Sequence, residues 1–138
     1  MTDRDRLLQR CRALGGRHVD VDAIADDAVE WLQHRIAQGK RPGSQLTESV
    51  AREVVSGVLV QQAQGGDESA AHRLVHLWHV EVLQWCRWQA GRGINPDDAA
   101  HDVLLRILTD VDRIREPKRF RPWLWRVTWH VLKEHGRK

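Results

Sequence analysis

The sequence predicts an all-α fold, a helical bundle. Apolar residues recur at the three-to-four-residue spacing of a helix, and runs of alternating apolar and polar residues are absent. Glycine pairs and capping residues cut the chain into pieces of helical length. At 138 residues the chain suits one domain, or a small domain with an appendage.

An amphipathic helix is expected over residues 3–14, stopped at Gly15-Gly16. A second covers about 20–38, with Ile24, Ala28, Trp31, Leu32 and Ile36 on one side, and ends at Gly39 before the loop Lys40-Arg41-Pro42-Gly43-Ser44. A third runs from about 46 to 63 through Val50, Val54, Val55, Val58 and Leu59. Gly65-Gly66 then breaks the chain and is the best candidate for a boundary between an N-terminal helical extension (1–64) and a second unit (65–138). Asp67 is a good N-cap for a fourth helix reaching about Ala90, whose inner stripe is Ala71, Leu74, Val75, Trp78, Val82, Trp85 and Cys86. The fifth start is marked by Asn95 as cap, Pro96 at the first helical position, and Asp97 and Asp98 in the first turn, where they oppose the helix dipole. Val103, Leu104, Ile107, Leu108 and Val111 form its apolar side, and residues 113–119 are a basic loop. The last helix begins near Arg121-Pro122, with the proline tolerated in the first turn, and continues to about His135.

Composition excludes several classes. No apolar run approaches the roughly 20 residues that span a bilayer, and the charged start Met1-Thr2-Asp3-Arg4-Asp5-Arg6 is unlike a signal peptide, so no membrane partner and a cytoplasmic location are expected. Hydrophobic residues make up 41% of the chain, enough for a core, and the mean hydropathy of -0.55 suits polar faces. Cys11 and Cys86 are too few for a disulfide framework and read as free thiols. There is no phosphate-binding glycine loop, nucleophile elbow or zinc-protease motif, so neither an enzyme nor a cofactor is expected. His72, His76 and His79 share one helix face, but no Cys or carboxylate cluster completes a ligand set and the spacing is no known zinc pattern, so no metal is assigned.

Charge is unevenly spread. Residues 1–66 are neutral and 67–112 carry a net -4, whereas 113–138 carry nine basic and two acidic side chains, a net +7 that favours a polyanion partner. Three of the seven Trp lie in Trp123-Leu124-Trp125-Arg126-Val127-Thr128-Trp129, ahead of the basic residues Lys133, Arg137 and Lys138. Leu124, Val127, Thr128 and Val131 share a face, and Trp125, Trp129 and Leu132 form an adjacent stripe. So wide an apolar arc is usually buried on two sides, which places Trp123 and Trp125 mainly in the core. Trp129, between Arg126 and Lys133 and beside His130, is the ring expected to face a ligand. On the fifth helix, His101, Asp102 and Arg106 are expected on an exposed face.

Three patterns in this half agree in order and spacing: Gly66-Asp67-Glu68-Ser69-Ala70-Ala71; Asn95-Pro96-Asp97-Asp98-Ala99-Ala100-His101-Asp102-Val103-Leu104-Leu105-Arg106-Ile107; and Phe120-x-x-Trp123-Leu124-x-x-Val127-Thr128-x-His130 followed by a basic run. With them, residues 65–138 resemble region 2 of bacterial sigma factors, especially the extracytoplasmic-function group. The resemblance implies a sigma region 2-like helical bundle with two working surfaces. The acidic helix would dock on the clamp coiled coil of the largest subunit of core RNA polymerase, through Asp98, His101, Asp102, Leu105 and Arg106. The final helix and its preceding loop would hold the promoter −10 element and the opened non-template strand, through Lys118, Arg119, Arg121, Arg126, Trp129, His130, Lys133 and Arg137. His101 stands where the family usually has Gln, and His130 where it usually has Asn. No region 4, the helix-turn-helix domain that reads the −35 element, is expected here. A second protein supplying −35 recognition, or an anti-sigma factor, is therefore a further expected partner. The expected function is a sigma-like initiation factor, and the alternative is a mimic that binds an anti-sigma factor or occupies polymerase without reading DNA. Residues 1–64 resemble nothing identified. They would replace the missing domain, bind a partner, or cover the basic face.

Overall fold

A computed structural model describes residues 1–137; Lys138, the last cation of the basic tail, lies outside the described residues. Six α-helices follow one another among the described residues: α1 Asp3–Gly15, α2 Val21–Ala37, α3 Ser44–Gln64, α4 Glu68–Gln89, α5 Pro96–Asp110 and α6 Phe120–Gly136. Three-residue 3₁₀ turns cover Gly16–His18, Val111–Arg113 and Pro117–Arg119. No strand occurs among the described residues, and the all-α, sigma region 2-like bundle is as the sequence predicts.

Local chemistry explains the helix ends. Thr2 and Asp5 form a reciprocal capping box on α1. Asp20 Oδ1 accepts from the amides of Asp22 and Ala23, and Asn95 Oδ1 from those of Asp97 and Asp98 at 2.9 and 3.2 Å. The joint at Gly65-Gly66 is tight. Gly66 takes φ 103, a conformation that favours glycine, and the Asp67 amide returns to the Gln62 carbonyl at 3.0 Å, closing α3 with a Schellman motif. The Asp67 carboxylate then caps α4 through the Ser69 and Ala70 amides, so one residue ends a helix and begins the next. α3 starts at Ser44, two residues before the expected position, because Thr47 donates both its amide and its hydroxyl to the Gly43 carbonyl.

α3 is the central helix. Val50, Ala51, Val54, Val55, Leu59 and Val60 are buried on several of its sides, and Thr47, Glu53 and Ser56 are buried with them. It packs against α1, α2, α4 and the 3₁₀ turn before α6. One apolar cluster therefore runs from Leu7 and Cys11 through Leu32, Val55 and Leu74 to Val103, Phe120 and Val131, with residues on both sides of Gly65-Gly66 contributing. Trp78 lies at its middle, its indole N–H donated to Ser56 Oγ at 2.8 Å and its ring 5.8 Å from that of Phe120. The Arg52 guanidinium lies over the outer side of this indole, 4.4 Å from the ring centroid, and binds the Leu77 carbonyl and Glu81.

Candidate nucleic-acid interface

α6 separates its residues by face. Phe120, Leu124, Thr128, Val131 and Leu132 are buried, and Thr128 returns its hydroxyl to the Leu124 carbonyl at 2.8 Å. Arg126, Trp129, His130, Lys133 and Arg137 are exposed at spacings of three and four, which makes them one outward stripe. Trp129 is 44% exposed, as the sequence argued, and Lys133 Nζ lies 5.6 Å from its ring centroid.

Trp125 corrects the sequence expectation of a core residue: it is 39% exposed. The wedge between α4 and α6 is already filled by Trp85, only 6% exposed, and Trp125 stacks edge-on against that ring from outside at 5.1 Å. Its outer side joins Trp129, Arg126, His130 and Gln89 around a shallow concavity of about 300 Å³. Trp123 is half-buried against Phe120 at 5.7 Å and closer to expectation. It floors a second concavity of about 410 Å³, whose rim carries Arg113, Arg115, Arg119 and Arg126 with the single carboxylate Glu116. Arg113 and Arg115 were not singled out from the sequence. The only signal for them was the basic character of the 113–119 loop.

The expected DNA-contact residues are thus not all brought together. Arg119 and Arg126 meet across the second concavity, and His130, Lys133 and Arg137 continue from Arg126 along α6. Arg121 turns instead toward α4, 3.5 Å from Glu81 Oε1 and 5.5 Å from the Trp85 centroid. Lys118 faces α2, 4.0 Å from Asp27 Oδ2, and Arg119 lies 3.9 Å from Glu116.

The α5 set also divides. Asp98 and His101 are exposed and Leu105 is 45% exposed, a strip at spacings of three and four. Asp102 and Arg106 are only partly exposed, because the end of α6 reaches them: His135 Nε2 lies 2.5 Å from Asp102 Oδ2, and Arg106 pairs with Glu134 at 2.7 Å. These two hold α5 to α6, while Asp98, His101 and Leu105 form the freely presented edge. His76 and His79 rings lie 6.0 Å apart, and among the described residues no group of three or more metal-ligating side chains gathers.

Residues 74–138 match the family described as Sigma-70 region 2. The matched segment takes in most of α4, all of α5 and α6 and the loop between them, and over it the chain resembles that region. α1, α2 and α3 lie outside the match. No curated protein and no solved structure matches at a significant level.

Proposed function

We propose that this protein is a sigma-like transcription factor. It docks on the clamp coiled coil of core RNA polymerase through α5 and captures the opened non-template strand of a −10 element along α6. It works without catalysis or cofactor, in the cytoplasm where polymerase is. The observation that carries this reading is the outward stripe of α6, where two indoles stand in solvent among Arg126, His130, Lys133 and Arg137.

Exposed Trp in a basic groove suits unpaired bases. Each base offers a flat face whatever its identity, and a stacked base is worth about 1–3 kcal/mol. The arginines of the loop and of α6 supply phosphate contacts, each steepening the salt dependence by roughly 0.7 in the logarithmic slope for a single strand. The free edge of α5, Asp98-His101-Leu105, pairs charge with an exposed apolar side chain, a combination suited to a protein partner.

The test is binding of a labelled non-template −10 strand across a salt series, with a pull-down of core polymerase. Trp129→Ala weakens strand binding, and affinity falls as salt rises. Asp98→Lys with Leu105→Asp abolishes polymerase capture while leaving strand binding intact. Asp102 is avoided because its change would loosen α6. Polymerase capture without any strand binding would identify a protein-binding mimic and overturn the DNA half of the reading. Capture that survives the α5 changes overturns the docking half.

A further inference from the structure

The two concavities on α6 share Arg126, and a third is joined to the second by Arg119. This third cleft, of about 860 Å³, opens between α2, α3 and the 3₁₀ turn before α6; its wall carries Trp31 and Pro122, the cations Arg35, Lys118 and Arg119, and the carboxylates Asp27, Glu30 and Glu53. A line of concavities therefore leads from Trp125 and Trp129, past Trp123, to Trp31, with an arginine at each junction. The helical rise sets its scale: Trp129 and Pro122 are seven residues apart, about 10 Å along α6.

We propose that Trp31 is a third base-stacking platform, so that the single-strand track leaves the sigma-like segment and ends on the N-terminal helix α2. The proposal rests on the strand-binding reading above and extends it to residues outside the family match. A single-strand groove combines cations that follow the backbone with aromatic faces for successive bases, and this cleft sets Trp31 beside Arg119 and beside Arg35 and Lys118, each of the latter two paired with a carboxylate of the same wall. Asp27 and Lys118, both on its wall, lie 4.0 Å apart with both side chains largely exposed. Such a pair contributes about 0–1 kcal/mol and yields readily to a phosphate. On its inner wall Glu53 spends one oxygen on Arg35 at 2.8 Å, while buried Oε2 has no hydrogen-bond partner among the described residues. A buried carboxylate oxygen without a donor is costly.

The experiment is a titration of the full chain with single-stranded oligonucleotides of increasing length, from about 4 to about 16 nucleotides. Trp31→Leu keeps apolar bulk against the core but removes the flat ring, and a thermal melt verifies its fold. It leaves the shortest oligonucleotides unaffected and weakens the long ones by roughly 5- to 150-fold, the range for losing one stacked base. Asp27→Lys, at an exposed position with little influence on folding, tightens the long oligonucleotides alone. Trp129→Ala weakens every length. If Trp129→Ala acts at all lengths while Trp31→Leu and Asp27→Lys change nothing, the third platform is wrong and the strand-binding reading stands. If Trp129→Ala is also silent, both fail. Cleft protection by a protein fragment instead of an oligonucleotide would likewise overturn the proposal.

Discussion

Gln64 donates its side-chain amide to the carbonyl of Ile114 at 2.7 Å, and the same nitrogen lies 3.1 Å from the Val111 carbonyl. The last turn of α3 thereby holds the start of the loop that carries Arg113, Arg115 and Arg119. About two turns earlier in α3, Gly57 lies under the Pro117–Arg119 turn, where an added Cβ would sit 3.5 Å from the Pro117 carbonyl oxygen. The N-terminal helices thus shape the basic loop from beneath. Gln64→Glu keeps the side-chain size but loses the donor. It is expected to cost about 0.5–1.5 kcal/mol in urea unfolding and to speed hydrogen exchange in residues 111–114. Gln64→Lys, which restores a donor, recovers part of the loss. Equal stability and exchange in all three proteins would refute the tie.

The bond from Trp78 to Ser56 is buried at both ends. Ser56→Ala leaves the indole N–H without a partner in an apolar setting. Denaturation should show a loss of about 1–3 kcal/mol, more than an alanine replacement at an exposed serine produces. Trp78→Ala removes a far larger contact area and is expected to cost about 3–5 kcal/mol.

Cys11 and Cys86 are both buried, and desolvation pushes each thiol up to about 11. The reactive species is the thiolate, so at neutral pH almost none is present and little of it is accessible. Mass spectrometry should find neither cysteine alkylated by iodoacetamide in the native protein, and both alkylated in denaturant. Rapid native labelling of either would contradict its burial.

Glu53 gives a signed dependence on pH. Burial raises its carboxyl above the ordinary value of 4.5, against the opposing pull of Arg35 and Arg121. The folded protein therefore holds this proton more tightly than the unfolded chain does. Between the ordinary and the raised value the native state binds more protons, so this group's contribution to stability falls as pH rises. Glu53→Gln removes that contribution. Urea unfolding from below pH 4.5 to neutrality should show the variant gaining on the parent protein as pH increases through this window. A stability difference that is flat with pH would contradict the assignment.

Helix positions were legible because their signals are local. Asp67, Asn95 and Pro96 satisfy or remove backbone groups of their own first turn, and Gly66 meets a left-handed turn, none of which needs a distant partner. The exposed rank of Trp129 could be read too, since Arg126 and Lys133 flank it on the same face. The outward position of Trp125 is not legible in the sequence, because the apolar arc of α6 is the same whether one Trp or another fills the wedge, and Trp85, forty residues away, fills it. For the same reason Asp102 and Arg106 present an open face along the sequence, whereas in the fold His135 and Glu134 lie against them.

The sequence alone determined six helices, the basic and aromatic character of the last one, and the likeness of the second half to sigma region 2. These depend on interactions within a few residues or on a pattern along the chain. The tertiary structure decided that α3 is central, that Trp125 faces outward, and that Arg119 joins the α6 surface to a cleft under Trp31. Those facts depend on which faces meet across long separations, where close packing lets only one side chain occupy each space.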